Sequence, residues 1–248
     1  MTPTRRRVTA TDGVTLAVYE NGDPAAPTIV AVHGYPDNHT VWDGVAELLA
    51  EEFHVVTYDV RGAGDSAKPS RRSAYGIPQL TDDLAAVLDA VSPDAPVHLL
   101  AHDWGSIQAW PGLAGAQLAG RIATFTSISG PSLEHAALWL RRGREHPRAA
   151  LRQLAHSYYT VLFQVPRLPE LVVRSAATDR KLRAAGHNHA GRHVDDKVNG
   201  VMLYRANMFG SVGRPHPRPV QIPVQLIVPE DDAFVTPQLA IEAAEPWV

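Results

Sequence analysis

Val97-His98-Leu99-Leu100-Ala101-His102-Asp103-Trp104-Gly105-Ser106 is the stretch that decides the fold. An apolar run leads into small-x-Asp-x-small, the pattern of a strand that turns sharply into a helix and exposes the central side chain at the top of a parallel sheet. Ala101 and Gly105 are the small positions that let the backbone fold back around Asp103. A carboxylate at that place restricts the chemistry. A carboxylate is a poor nucleophile for splitting esters or amides, since attack on an acyl carbon would give a mixed anhydride. Attack on an sp3 carbon instead opens an epoxide or displaces a halide, leaves an alkyl ester, and divides one hard step into two easier ones. The plainer use of Asp103 is as the cap of the helix that begins near Gly105.

Strand-like and helix-like stretches alternate outward from this elbow, which predicts a mostly parallel sheet covered on both faces. Strands are expected over 14–20, 28–32, 54–58, 97–101 and 122–128, with a turn at Asn21-Gly22-Asp23-Pro24. Helices are expected over 38–51 and 79–91. A third helix follows the elbow to about Leu118, kinked or interrupted by Pro111 and Gly112. From Pro131 to about Pro219 the composition shifts to arginine-rich helical segments with repeated prolines, and strand character returns at 224–228. Residues 131–219 therefore read as a helical lid over the carboxyl edge of the sheet, where open α/β sheets bind ligands. Residues 1–130 and 220–248 form the core.

Composition bounds the answer without deciding it. A chain of 248 residues, 45% hydrophobic, suits one α/β domain with an insertion. The net charge of −3 carries no nucleic-acid or anionic-membrane signal. Without cysteine there is no disulfide framework, thiol nucleophile or thiolate metal site. MTPTRRRVTA has no following apolar region of the kind a signal peptide needs, and no run is long enough to span a membrane, so a cytoplasmic setting is expected.

Four further motifs carry a resemblance over nearly the whole chain. They are His33-Gly34-Tyr35-Pro36, Asp59-Val60-Arg61-Gly62-Ala63-Gly64-Asp65-Ser66, the paired segments Tyr159-Thr160-Val161-Leu162-Phe163-Gln164-Val165-Pro166 and Leu203-Tyr204-Arg205-Ala206-Asn207, and Val228-Pro229-Glu230-Asp231-Asp232-Ala233-Phe234-Val235. The chain resembles an epoxide hydrolase of the α/β-hydrolase fold. The resemblance implies Asp103 as nucleophile and backbone N–H groups of Tyr35 and Trp104 as an oxyanion hole. It places His33, Pro36 and Trp104 against the substrate, Tyr159 and Tyr204 as proton donors to the epoxide oxygen, and Asp232 as the acid that orients a histidine. Tyr158 competes with Tyr159 for its role, and Asp231 with Asp232. Leu203 stands where the family pattern has tryptophan. The glycine-rich loop at 59–66 identifies the fold and takes no catalytic role. The implied substrate is a small apolar epoxide, with no cofactor, metal or nucleic acid.

One departure accompanies the match. The family's histidine follows the acid by one more strand, yet the last histidine here is His216. The expectation is a fold lacking its last strand and helix, a fragment impaired in turnover, with a C-terminal continuation such as a short-chain dehydrogenase. His102 only flanks the elbow. His187, His189 and His193 form an H-x-H-x3-H cluster that reads as a solvated polar face rather than a zinc site. Two other functions compete: a haloalkane or haloacid dehalogenase with the same Asp nucleophile, and a non-catalytic binder of apolar ligands.

Overall fold

The computed structural model describes residues 3–184, 191–213 and 215–248. Its strands are β1 (Thr4–Thr9), β2 (Thr15–Asn21), β3 (Thr28–Val32), β4 (His54–Tyr58), β5 (Val97–His102), β6 (Ile122–Ile128) and β7 (Val224–Ile227). They form one sheet in the order β1-β2-β4-β3-β5-β6-β7, with β1 and β2 antiparallel to their neighbours and the rest parallel. Every residue of β3 and β4 is buried. Since successive side chains point to opposite faces, both faces of the sheet centre are covered.

The first half carries α1 (Asp43–Leu49), α2 (Ile77–Val91) and α3 (Trp104–Leu113). Between β6 and β7 lie α4 (Leu133–Arg141), α5 (Pro147–His156), α6 (Tyr158–Leu162), α7 (Leu168–Val173), α8 (Ala176–Ala184) and α9 (Val194–Gly213), and α10 (Pro237–Ala244) follows β7. A main core cluster joins the sheet to α2, α3 and α9 through residues such as Leu80, Leu99, Trp110, Phe125, Val201 and Tyr204. A smaller cluster of Trp139, Ala150, Leu239 and Ala243 ties α4 and α5 to α10.

Three expectations need correction. The predicted helix over 38–51 is a short 3-10 turn, His39–Trp42, followed by α1. The helix after the elbow stops at Leu113 rather than Leu118, and Pro111 lies inside its last turn. β1 was not expected at all. Its sequence is TRRRVT and only Val8 is buried, so it offers no apolar alternation to read, and its arginines suit an edge strand that must not pair with another chain. His187 and His189 lie outside the described residues; His193 is exposed.

The glycine-rich loop is structural, as its charges suggest. Asp59 is fully buried and accepts hydrogen bonds from the His39 backbone N–H (2.8 Å), the His39 ring (2.7 Å) and the Asp65 backbone N–H (2.8 Å). Burial alone would raise its pKa, but the hydrogen bonds from His39 outweigh this and lower it to about 2 from the ordinary 3.8. A depressed carboxylate stabilises the fold above its unfolded value and loses that contribution as pH falls from about 4 to about 2. Asp59→Asn is therefore expected to remove about 2 kcal/mol at neutral pH and to flatten the stability profile over that acid interval. Denaturant titrations at a series of pH values check it; an unchanged profile would count against this role.

Candidate active site

The elbow is built by close backbone approach. Asp103 adopts φ 49° and ψ −121°, a left-handed conformation costly for a residue with a Cβ, and it joins β5 directly to α3. A Cβ at Gly34 would come within 2.5 Å of the Asp103 side chain, and one at Gly105 would fall onto the carbonyl oxygens of Val32 and His33. Ala101 fills the first small position and is fully buried. The strained Asp103 is thus held by neighbours that have no side chain to give way.

The loop after β3 reaches over this elbow. The Tyr35 backbone N–H donates to Asp103 Oδ1 at 2.7 Å. The Tyr35–Pro36 peptide bond is cis. Trp104 opens α3, so its backbone N–H belongs to the helix terminus that lacks intrahelical partners. His33 braces the loop from behind: its Nε2 accepts from the Val60 N–H at 2.9 Å, which makes Nδ1 the protonated nitrogen that donates to Gly34 O at 2.9 Å. Burial lowers its pKa, so the ring stays neutral, and neither nitrogen is free for a substrate.

Asp103 opens into a cavity of about 580 Å³ whose wall includes Tyr35, Pro36, Tyr159, Tyr204, Asp232 and Phe234, together with Leu162, Phe163, Val173 and Leu182. The size and mostly apolar lining suit a small organic ligand. His102, Tyr158 and Asp231 also reach this wall. His33 and Trp104 do not; they line a separate space of about 20 Å³ behind it.

The two expected tyrosines meet. Tyr204 is buried at the centre of an aromatic cage, with ring centroids 4.9 Å from Trp104 and Phe163, 5.3 Å from Tyr35 and 5.7 Å from Tyr159. Burial raises the Tyr159 phenol well above its ordinary value, and the charges of Asp103 and Asp232 add to the shift against a smaller opposing interaction with Tyr204. Burial likewise raises Tyr204, with Tyr159 and Asp103 adding to it. Both hydroxyls therefore remain protonated at neutral pH. Tyr158 differs sharply, being 63% exposed.

Other residues of the two tyrosine motifs explain why the segments come together. Arg205 donates to Phe163 O and Val165 O, both at 2.9 Å, and forms a two-pronged pair with Glu170. Gln164 donates to Tyr204 O at 3.3 Å. Asn207 accepts from the Ile77 N–H (2.8 Å) and donates to Tyr75 O (2.9 Å), fastening α9 to the start of α2. The motif spacing was legible; these long-range clasps were not.

The acid loop has its own brace. Asp232 Oδ1 accepts from the N–H groups of Phe234 (2.8 Å) and Val235 (2.9 Å), which fixes its carboxylate at the cavity wall. Gln153 of α5 accepts from Thr236 N (2.8 Å) and Thr236 Oγ1 (2.9 Å) and donates to Phe234 O (2.9 Å). His156 reaches Ala233 O at 2.9 Å. Neither residue stood out in the sequence, since a glutamine inside an amphipathic helix carries no signal. Gln153→Leu is expected to cost about 1–3 kcal/mol by leaving the buried Thr236 groups unpaired, and a thermal melt checks it. An unchanged melting temperature would show that the loop does not depend on Gln153.

Comparison with known proteins agrees with this architecture. The profile of the alpha/beta hydrolase fold family matches residues 27–240. "Probable oxidoreductase EphD" of Mycobacterium tuberculosis is 41% identical over 251 residues, covering 94% of this chain and 42% of its own length. The chain thus spans less than half of that relative. "Epoxide hydrolase A" of Mycobacterium tuberculosis is 34% identical over 236 residues, covering 94% of this chain and 69% of the relative. The crystal structure of a Bacillus megaterium epoxide hydrolase with an inhibitor superposes with a TM-score of 0.79 at 21% identity, over 98% of this chain and 88% of that one, and so matches in fold. Elbow, sheet order and family match together lead to one assignment: the chain belongs to the alpha/beta hydrolase fold family, as an epoxide hydrolase-like member.

Proposed function

We propose that the chain opens small apolar epoxides through an alkyl ester on Asp103. The observation that carries this reading is that two protonated phenols, the half-buried Tyr159 and the buried Tyr204, line one cavity with Asp103. Asp103 Oδ1 accepts from the Tyr35 N–H, and Oδ2 attacks a ring carbon of the epoxide. As the C–O bond breaks, the ring oxygen takes a proton from a tyrosine hydroxyl. In the second step water attacks the ester carbonyl, and the N–H groups of Tyr35 and Trp104 stabilise charge on its oxygen. The diol then leaves, the carboxylate returns, and the proton lost by the attacking water restores the tyrosine hydroxyl.

The second step needs a base oriented by Asp232. Within residues 1–248 no histidine follows His216, so with these residues alone ester hydrolysis is expected to be slower than alkylation. Residues 131–219 act as the lid in this account, and the setting is cytoplasmic. Among the described residues no helix is long and apolar enough to cross a membrane.

One observation favours a dehalogenase instead. Among the described residues the buried indole N–H of Trp104 has no partner at hydrogen-bond geometry beyond its interaction with the Tyr204 hydroxyl, and such a donor can hold a departing halide. Trp104 lies outside the lining of the main cavity, which weakens that use. Parallel incubations with a terminal epoxide and a matched 1-chloroalkane separate the readings. Ester formation from the epoxide alone is expected; halide release without reaction of the epoxide would favour the dehalogenase, and ligand binding without either would leave only a binding protein.

A further inference from the structure

The chain-wide charge of −3 conceals a segregation. Residues 131–219 carry fifteen Lys and Arg against six Asp and Glu, whereas the rest of the chain carries eight against twenty. The imbalance is concentrated at the surface. Between Arg141 and Ala184 all ten lysines and arginines are exposed, but of three acids only Glu145 is; Glu170 pairs with Arg205 and Asp179 with Lys197. A surface with that balance attracts anions.

The same surface is apolar between its arginines. Of the fifteen large hydrophobic residues exposed among the described residues, eight fall within 151–172, and Leu151, Val161 and Leu171 are each about two-thirds exposed. Helix α5 shows the arrangement most clearly. It buries Ala150 and Gln153 inward and presents Arg148, Leu151, Arg152 and Leu154 to solvent. A protein interface usually gathers its apolar residues at the centre and its charges at the rim. Interleaved arginine and leucine are instead the pattern of helices that lie in a membrane interface, with apolar side chains at the acyl boundary and cations among the headgroup phosphates. The patch is also continuous with the cavity, because exposed Tyr158 and Val172 line its wall.

We propose that the outer face of α5 to α8 docks on an anionic lipid bilayer, so that an apolar ligand passes from the lipid into the cavity without crossing water. The expectation of no anionic-membrane signal came from the chain-wide charge, which averages a basic face with an acidic core. Docking goes beyond the proposed reaction and is tested without catalysis, so either can fail alone.

The experiment is flotation of the full chain with vesicles. Binding is expected to equimolar phosphatidylglycerol and phosphatidylcholine, not to phosphatidylcholine alone, and is expected to weaken as salt is added. The combined variant Arg148→Glu, Arg152→Glu and Arg167→Glu is expected to lower the partition coefficient by at least about a hundredfold. Leu151→Ser with Leu171→Ser should lower it by roughly tenfold or more, and serves as the second test if the charge variant fails to keep the wild-type thermal melt. No flotation with anionic vesicles, equal binding to both vesicle types, or a folded charge variant that floats like the wild type would overturn the proposal. Self-association lost in the charge variant, with vesicles left unbound, would show a contact between copies and overturn it too.

Discussion

Replacing Tyr159 and Tyr204 together by phenylalanine is expected to slow alkylation of the chain by an epoxide by at least about a thousandfold, against roughly tenfold to a hundredfold for either alone. The ring oxygen becomes an alkoxide as its carbon is attacked, and general acid catalysis of such a step contributes about 10² to 10⁴ in rate. The two phenols flank one cavity and differ from ordinary surface tyrosines in staying protonated beyond the ordinary phenol range, because burial and neighbouring charge raise them. Their influence should therefore be steady up to at least the ordinary phenol range near pH 10 rather than fading through mildly alkaline pH. Removing one leaves the other to donate. Tyr158→Phe, at an exposed position, should change the rate little. Single-turnover measurement of ester formation at several pH values distinguishes these outcomes, and a large loss confined to Tyr158→Phe would show that the wrong member of the pair has been assigned.

How much of this was legible in the sequence depended on whether the signal was local. β3, β4 and β6 run as predicted because buried parallel strands are written as short apolar, β-branched runs such as Thr28–Val32. The elbow was legible because its geometry demands small residues around Asp103, and Gly34 and Gly105 show why. β1 was missed because its arginines are solvated and its only reason to be a strand is the register it shares with β2. The end of α3 was misplaced because no local residue marks Leu113 as the last. Arg205, Asn207 and Gln153 act through partners 35 to 132 positions away in the chain, which no spacing rule reveals. The basic face was hidden for a different reason, since one number for net charge cannot report where the charges lie.

The geometry around Asp103 also bears on what should be seen when the reaction is stopped halfway. In the proposed reaction, alkylation uses the carboxylate, the Tyr35 N–H and the two phenols, which meet at one cavity. Release in that reaction uses water activated beside Asp232, and His102 also reaches the same wall. Asp103→Asn is expected to abolish ester formation, because a neutral amide is a poor nucleophile toward carbon even though its oxygen can still accept from the Tyr35 N–H.

Intact-protein mass spectrometry of the 248-residue chain after incubation with a terminal epoxide tests the central claim most directly. A long-lived species heavier by one substrate mass is expected, mapped by peptide analysis to Asp103 and absent from Asp103→Asn. An adduct on another residue, or steady diol formation that Asp103→Asn leaves intact, would contradict it.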